Sequence, residues 1–110
     1  MENKIVLDIV NDLEKKLIDV RHNLHKHPEL SNEEFETTKT LRKLLNEAQI
    51  RVLNLPIATG LVAEITGDRE GPIIAIRGDI DALSIIEETE LEYKSQVIGK
   101  MHACGHDFHA

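Results

Sequence analysis

The sequence predicts a protein of the α/β class, in which two helices are followed by a β-sheet. Three observations support that prediction. Apolar residues recur at helical spacing along the first quarter of the chain, and a second stretch with helical spacing follows Pro28. Beyond about residue 50 the spacing becomes strand-like, because short β-branched runs alternate there with glycine and proline.

The first helix is predicted from about Asn3 to Lys26. One apolar stripe repeats along it at spacings of three and four residues, as on one face of a helix. The stripe consists of Val6, Val10, Leu13, Leu17, Val20 and Leu24. We expect the helix to stop near His27, because Pro28 disfavours helical geometry in the residue that precedes it.

A second helix is predicted to follow Ser31 and to run to about Ala48. Ser31-Asn-Glu-Glu34 has the pattern of a capping box, in which the serine accepts a hydrogen bond from the third amide and Glu34 reaches back to the cap. The expected apolar face comprises Phe35, Thr38, Leu41, Leu44, Leu45 and Ala48.

Three short strands are predicted after the helices, over residues 50–55, 60–66 and 72–77. Residues 67–71, which begin and end with glycine, are expected to form the loop of a hairpin between the second and third strands. The third run, Ile73-Ile-Ala-Ile76, is apolar at consecutive positions. This pattern predicts a strand buried on both faces, inside an α/β sheet.

Composition narrows the class of protein. A chain of 110 residues forms at most one domain, and 41% apolar residues are enough for a core. A net charge of −7 argues against nucleic acid or an anionic membrane as a partner. The single cysteine excludes an internal disulfide, and the first ten residues lack the apolar run of a signal peptide or membrane span, so we expect a cytoplasmic protein.

The segment 101–110 has the composition of part of a metal site. It holds the only cysteine of the chain, three histidines and one aspartate, and thiolate, imidazole and carboxylate groups bind zinc and related ions. In an extended segment the pair Cys104 and His106 points two donors to the same side. Because a zinc site needs about three or four protein ligands, we expect the chain to be part of a larger metalloenzyme that supplies the others.

Two aspartates follow the predicted buried strand, where ligands of open α/β sheets collect. Asp79 and Asp81 stand two residues apart, so in an extended segment both carboxylates point to one side. Either can hydrogen-bond the far nitrogen of a metal-bound histidine and fix its tautomer. The alternative is that both are turn or cap residues. Together with the downstream cluster, the pattern favours a supporting or catalytic role for Asp81.

Three segments together resemble the M20 metallopeptidase family. They are Arg21-His-Asn-Leu-His-Lys-His-Pro-Glu-Leu-Ser31, Arg77-Gly-Asp-Ile-Asp-Ala-Leu83 and Met101-His-Ala-Cys-Gly-His-Asp107. The resemblance is to the amidohydrolase branch, which includes hippurate hydrolases, N-acyl-amino-acid deacylases, N-acetyl-diaminopimelate deacetylases and plant auxin-conjugate hydrolases. It covers nearly the whole chain from about Leu17 onward, and the last segment is the most specific.

The resemblance implies a larger protein around this chain. Family members have several hundred residues, with an α/β catalytic domain that holds two metal ions and a smaller inserted lid domain. Residues 1–110 would then be the N-terminal portion of a zinc-peptidase-like catalytic domain, with the lid domain absent. The full-length protein would be a homodimer with two divalent ions per subunit: zinc, manganese or cobalt.

The resemblance also implies roles for individual residues. Cys104 and His106 would be metal ligands, with the Cys104 sulfur bridging the two ions. Asp81 matches the catalytic aspartate beside the metals, and Asp107 would support the ligands. The general-base glutamate and the remaining ligands would lie beyond Ala110. The implied activity is metal-dependent hydrolysis of amide bonds in N-acyl amino acids or small peptide-like substrates, which this chain alone is not expected to catalyse.

Two other functions fit the same residues. The chain can be a small stand-alone metal-binding or interaction module, whose copies are joined through metal shared by the Cys-His cluster. It can also derive from an inactive relative that has kept the fold and is used for binding. The first alternative requires a gene that ends near Ala110, and the second requires a complete gene without the downstream glutamate and histidine ligands.

The other ionisable residues have more than one interpretation. His22, His25 and His27 can form a second metal site, but we favour a structural role at the end of the first helix, where the helix dipole stabilises protonated histidine. His102 and His109 are expected to pack beside the ligands rather than to contact metal or substrate. The acidic residues Glu87, Glu88 and Glu90 lie in an irregular stretch, residues 83–101, and are expected to form a solvated loop.

Overall fold

The two long helices form where the sequence predicts them. The computed structural model describes residues 2–110. Helix α1 spans Glu2–Lys26 and helix α2 spans Phe35–Glu47. The chain leaves α1 just before Pro28, a fully buried side chain. This boundary confirms the prediction that the first helix ends just before Pro28.

The start of α2 differs from the predicted capping box. Ser31 lies too early, because the chain makes an additional turn through Asn32, whose φ of 68° is left-handed, before the helix begins at Phe35. The Glu29 carboxylate instead accepts hydrogen bonds from the backbone amides of Glu36, at 3.1 Å, and Thr37, at 2.5 Å. A negative charge at a helix N-terminus satisfies unpaired amides and is favoured by the helix dipole.

The sheet of the described residues is a two-stranded antiparallel pair. Strand β1, Arg51–Val52, pairs with strand β2, Ala63–Glu64, so that Arg51 faces Glu64 and Val52 faces Ala63. The pairing continues where the Leu53 amide donates to the Val62 carbonyl at 2.8 Å. The predicted hairpin was therefore wrong in its partners, because the second run pairs with the first rather than with the third.

The apolar run at residues 73–76 is not buried, contrary to the prediction. Ile73, Ile74 and Ile76 are 99%, 83% and 97% exposed, and no strand forms there. A strand buried on both faces needs neighbouring strands and a covering layer on each side. Residues 2–110 supply neither for this run, so its apolar side chains face solvent.

The interior lies around the C-terminal end of α1. Leu24 and Ala82 are its buried apolar residues, together with Pro28. Residue 82 is held there by a parallel bridge to Leu30, and the next residue forms an antiparallel bridge to Met101. The other buried side chains of the described residues are polar: His25, Glu34, Thr37, Thr38, His102 and Asp107.

The remainder of α1 projects from this interior. The radius of gyration is 15.8 Å, compared with about 13 Å for a compact domain of this length. Helix α1 is long, but its sequence is interrupted by charged residues. Within residues 2–110, no helix has both the length and the apolar character needed to cross a membrane.

Candidate metal centre

The centre is built where the segment after the exposed apolar run meets a short third helix. Helix α3 spans His106–His109 and is preceded by Gly105, whose φ of 79° lies in the left-handed region that glycine adopts without strain. His106 Nδ1 lies 2.7 Å from the Asp81 carboxylate and 3.1 Å from the Asp81 carbonyl oxygen. Both are acceptors, so Nδ1 carries the proton and donates it.

That hydrogen bond leaves His106 Nε2 as the nitrogen with a free lone pair. A carboxylate that holds one nitrogen of a histidine fixes the ring and raises the basicity of the other nitrogen, which is how metal-binding histidines are commonly oriented. The structure thus brings Asp81 and His106 into the arrangement that the two sequence segments suggested. Their roles in metal binding and catalysis remain predictions.

Two further donor residues lie close to the His106 ring. Asp79, His106 and His109 each place a ligand atom within 4.8 Å of the others, and the Asp79 carboxylate lies 3.5 Å from His106 Nε2. Arg77 forms an ion pair with Asp79 at 2.5 Å and offsets part of its charge. A mixed set of nitrogen and oxygen donors suits zinc, manganese or cobalt, so the residues present fit a divalent ion.

Cys104 lies apart from this group. Its thiol is free and exposed, in the bend that leads to Gly105 and α3, and it is not one of the three residues whose donors converge. The position leaves the sulfur accessible to an ion. The predicted bridging role of Cys104 stays a prediction.

His109 was expected only to pack beside the ligands, and Asp79 was ranked behind Asp81. Both nevertheless place donors close to His106. The spacing of His106 and His109, three residues apart, is the available signal in the sequence, because residues three apart lie on one face of a helix. That signal required knowing that residues 106–109 are helical, which so short a segment does not reveal.

A second polar cluster, the His25 cluster, lies behind α3 and comprises His25, Asp107, Glu87 and Arg21. His25 is only 4% exposed. Its Nδ1 lies 2.9 Å from the Asp107 carboxylate and its Nε2 lies 2.9 Å from the Glu87 carboxylate. Arg21 Nε adds an ion pair with Asp107 at 3.4 Å. Both ring nitrogens of His25 therefore face carboxylate oxygens.

His22 and His25 of α1 and the following His27 do not form a second metal site. His22 stacks on Tyr93, with ring centroids 3.7 Å apart, and His27 Nδ1 lies 2.8 Å from the Asn23 carbonyl oxygen. His25 makes the contacts of the His25 cluster instead. The structure agrees with the structural role that the sequence favoured for them.

The predicted solvated acidic loop was wrong for Glu87 and correct for Glu88 and Glu90, which are exposed. The Glu87 side chain is 2% exposed. Burial by itself would raise the pKa of Glu87, but hydrogen bonds from the Thr89 hydroxyl, the Ser95 amide and His25 outweigh it and lower the pKa. The acidic run gave no signal of this burial, because His25 lies 62 residues away in sequence.

His102 is buried, as its predicted packing role requires, and neither ring nitrogen has a hydrogen-bond partner among the described residues. Burial lowers the pKa of His102; the charge of Asp107 opposes the shift, and His25 and His106 reinforce it. The ring is therefore neutral near pH 7, and it lies beside His25, with ring centroids 6.5 Å apart.

Comparisons with known proteins match the chain to one peptidase family. The model of peptidase family M20/M25/M40 matches residues 75–110, which include Asp79, Asp81 and His106. N-acetylcysteine deacetylase of Bacillus subtilis is 58% identical over 95 residues, which are 86% of this chain and 25% of that protein. Thermostable carboxypeptidase 1 of Saccharolobus solfataricus is 46% identical over 104 residues, or 91% of this chain and 26% of that protein.

A solved structure shows the same fold. The YxeP protein of Bacillus subtilis, a dinuclear metal-binding peptidase of the M20 family, matches with a TM-score of 0.88 and 55% identity, over 90% of this chain and 28% of that one. The match confirms the predicted α/β fold, in which two helices are followed by a β-sheet. The chain spans about a quarter of the length of the curated relatives it matches. On these grounds the chain belongs to peptidase family M20/M25/M40.

Proposed function

We propose that the full-length protein containing this chain is a metal-dependent hydrolase of amide bonds in N-acyl amino acids or small peptide-like substrates. The observation that carries the proposal is the contact of 2.7 Å between Asp81 and His106 Nδ1. It leaves Nε2 free, 3.5 Å from the Asp79 carboxylate, in a group of three residues whose donor atoms lie within 4.8 Å of one another. Residues 1–110 would form the N-terminal portion of the catalytic domain, and the general base, the remaining ligands and the lid domain would lie in other parts of the protein.

The residues that would hold the metal are Cys104 and His106. Asp81 would keep the proton on His106 Nδ1, and Asp79 would add negative charge beside Nε2. When bound, two divalent ions lower the pKa of water and polarise the carbonyl of the amide to be cleaved. Zinc, manganese and cobalt all suit a mixed set of sulfur, nitrogen and oxygen donors, and we propose one of these three.

The names of the relatives support the substrate class. One is named as an N-acetylcysteine deacetylase and the other as a carboxypeptidase. Both names describe cleavage of an amide bond whose nitrogen belongs to an amino acid. The net charge of −7 disfavours nucleic acids and anionic membranes as partners. We further propose that the full-length protein is a cytoplasmic homodimer.

The proposal is tested on the protein produced from its intact gene. Metal content is measured by elemental analysis, and hydrolysis is measured with a panel of N-acetyl and N-benzoyl amino acids and dipeptides. We expect two divalent ions per subunit, loss of hydrolysis after treatment with a chelator, and its recovery with zinc, manganese or cobalt. A folded protein that binds no divalent ion and cleaves none of these substrates would contradict the proposal.

A further inference from the structure

The His25 cluster ties α1 to the segment that carries the proposed metal ligands. Asp107 directly follows His106 in α3, and its side chain is turned into the interior with 1% exposure. His25 makes the hydrogen bond of 2.9 Å to that carboxylate. We propose that His25 is a positioning residue for the metal centre, which acts by holding Asp107 and thereby fixing α3. The inference rests on the proposed function.

The hydrogen bond from His25 is the main restraint on the buried carboxylate. Within residues 2–110, Asp107 has no other side-chain hydrogen bond. Arg21 Nε lies 3.4 Å from it as an ion pair, but this buried nitrogen lacks a hydrogen bond of its own. A buried carboxylate is costly unless it is paired and hydrogen-bonded, so α3 is expected to shift when His25 no longer reaches it.

Glu87 holds the opposite side of the His25 ring. Its carboxylate accepts from His25 Nε2 and from the Ser95 amide, each at 2.9 Å, and from the Thr89 hydroxyl. The Gln96 amide in turn donates to the Lys26 carbonyl at 2.8 Å, which attaches this loop to the end of α1. Both ring nitrogens of His25 are therefore engaged, one with Asp107 and the other with Glu87.

The candidate centre is thus held from two sides. Asp81 fixes the His106 ring directly, whereas His25 fixes the neighbouring residue of the same helical turn. Because metal affinity depends on ligands that are already in place, residues that hold ligands commonly change affinity by about 10- to 100-fold when they are replaced. His25 is expected to belong to this group although it lies outside the ligand set.

Two substitutions separate positioning from simple stability. In His25→Asn the side-chain amide can replace Nδ1 and still donate to Asp107, whereas Glu87 is lost. In His25→Gln the longer side chain can replace Nε2 and reach Glu87, whereas Asp107 is lost. Each variant removes one of two buried hydrogen bonds, so both are expected to lower the melting temperature. Only His25→Gln is expected to release α3, because it alone loses the hydrogen bond to Asp107.

The measurement is the affinity of the folded, metal-free full-length protein for zinc, by competition with a chromophoric chelator. We expect His25→Gln to bind zinc about tenfold more weakly than wild type, and His25→Asn to stay close to wild type. His27→Gln is the matched control, because His27 lies at the same helix end, is exposed, and has a side chain that hydrogen-bonds the Asn23 carbonyl rather than Asp107 or Glu87. Circular dichroism at the same temperature establishes that each variant is folded.

A second pair of variants covers the case in which His25→Gln does not fold. Asp107→Asn is expected to weaken zinc binding, and Glu87→Gln is expected to leave it unchanged, since His25 keeps its contact with Asp107. Equal zinc affinities across either pair would overturn the positioning role, while two metal ions and hydrolysis in the wild type would leave the proposed function standing. A wild-type protein without metal or hydrolysis would instead overturn the proposed function.

Discussion

The two ends of α1 lie in opposite environments although they share one apolar stripe. Val6, near the N-terminal end, is 58% exposed, and Leu17 is still 57% exposed. Leu24, at the C-terminal end, is 3% exposed. What changes along the helix is the presence of other segments, because the loop that carries Glu87 and Gln96 and the short helix α3 both contact its C-terminal end. Periodicity tells which side of a helix can be buried, and the neighbouring segments decide which part of it is.

The largest effect is expected from replacing a proposed metal ligand. Cys104→Ser in the full-length protein should lower metal occupancy and amide hydrolysis together, by more than the roughly 10- to 100-fold typical of a residue that only orients a ligand. The physical reason is that a hydroxyl is a poorer ligand than a thiolate for zinc and related ions. Elemental analysis and a hydrolysis assay check this, and full activity with two metals would contradict it.

The comparison along α1 can be tested with one substitution at two positions. Leu24→Ala is expected to destabilise the 110-residue chain by about 2–5 kcal/mol, because it opens a cavity in a packed site. Leu17→Ala is expected to stay within about 0.5 kcal/mol, as an exposed substitution does. Urea unfolding followed by circular dichroism measures both. Equal losses at the two positions would show that the whole stripe is buried in solution.

A smaller effect is expected at Asp81, which holds the His106 ring. Asp81→Ala should lower zinc affinity and hydrolysis in the full-length protein by about 10- to 100-fold, since His106 would lose the carboxylate that fixes its tautomer. Glu88→Ala is the control, because that carboxylate is exposed. Isothermal titration with zinc measures the change, and unchanged affinity in the Asp81 variant would exclude an orienting role.

The smallest effect concerns the pH dependence of the His25 cluster. Because the pKa of Glu87 is lowered in the folded chain from 4.5, its charged form stabilises the fold above that value, and this stability is lost as the pH falls through the folded pKa. Glu87→Gln should cost about 1–2 kcal/mol at pH 7 and less below pH 4.5. Urea unfolding at pH 7 and pH 3.5 checks this, and an equal cost at both values would contradict it.

Local signals predicted the helices well. The apolar spacing and Pro28 determined the limits of α1, because both act within a few residues. Ser31 was wrongly predicted to cap α2, because the residues around Asn32 do not reveal its left-handed turn. Asp81 and His106 lie in contact although they are 25 residues apart, as their two segments suggested, but the strand whose end was expected to place Asp81 does not form.

Contacts between distant segments were not predictable in the same way. The burial of Glu87 depends on His25 and on the loop that returns to α1. In sequence it resembles the exposed Glu88 beside it. The exposure of Ile73 likewise depends on which segments lie alongside it, and its own apolar character indicates only that it would be stable if covered.

The exposed run at residues 73–76 has a consequence for handling the 110-residue chain. Four apolar residues in an unpaired stretch offer backbone groups to which another copy can add a strand, the route by which sheet edges begin to aggregate. Arg69, Glu70 and Arg77 flank the run with charges, which oppose such pairing without abolishing it. Solubility of the isolated chain is therefore expected to fall with rising salt, as those charges are screened.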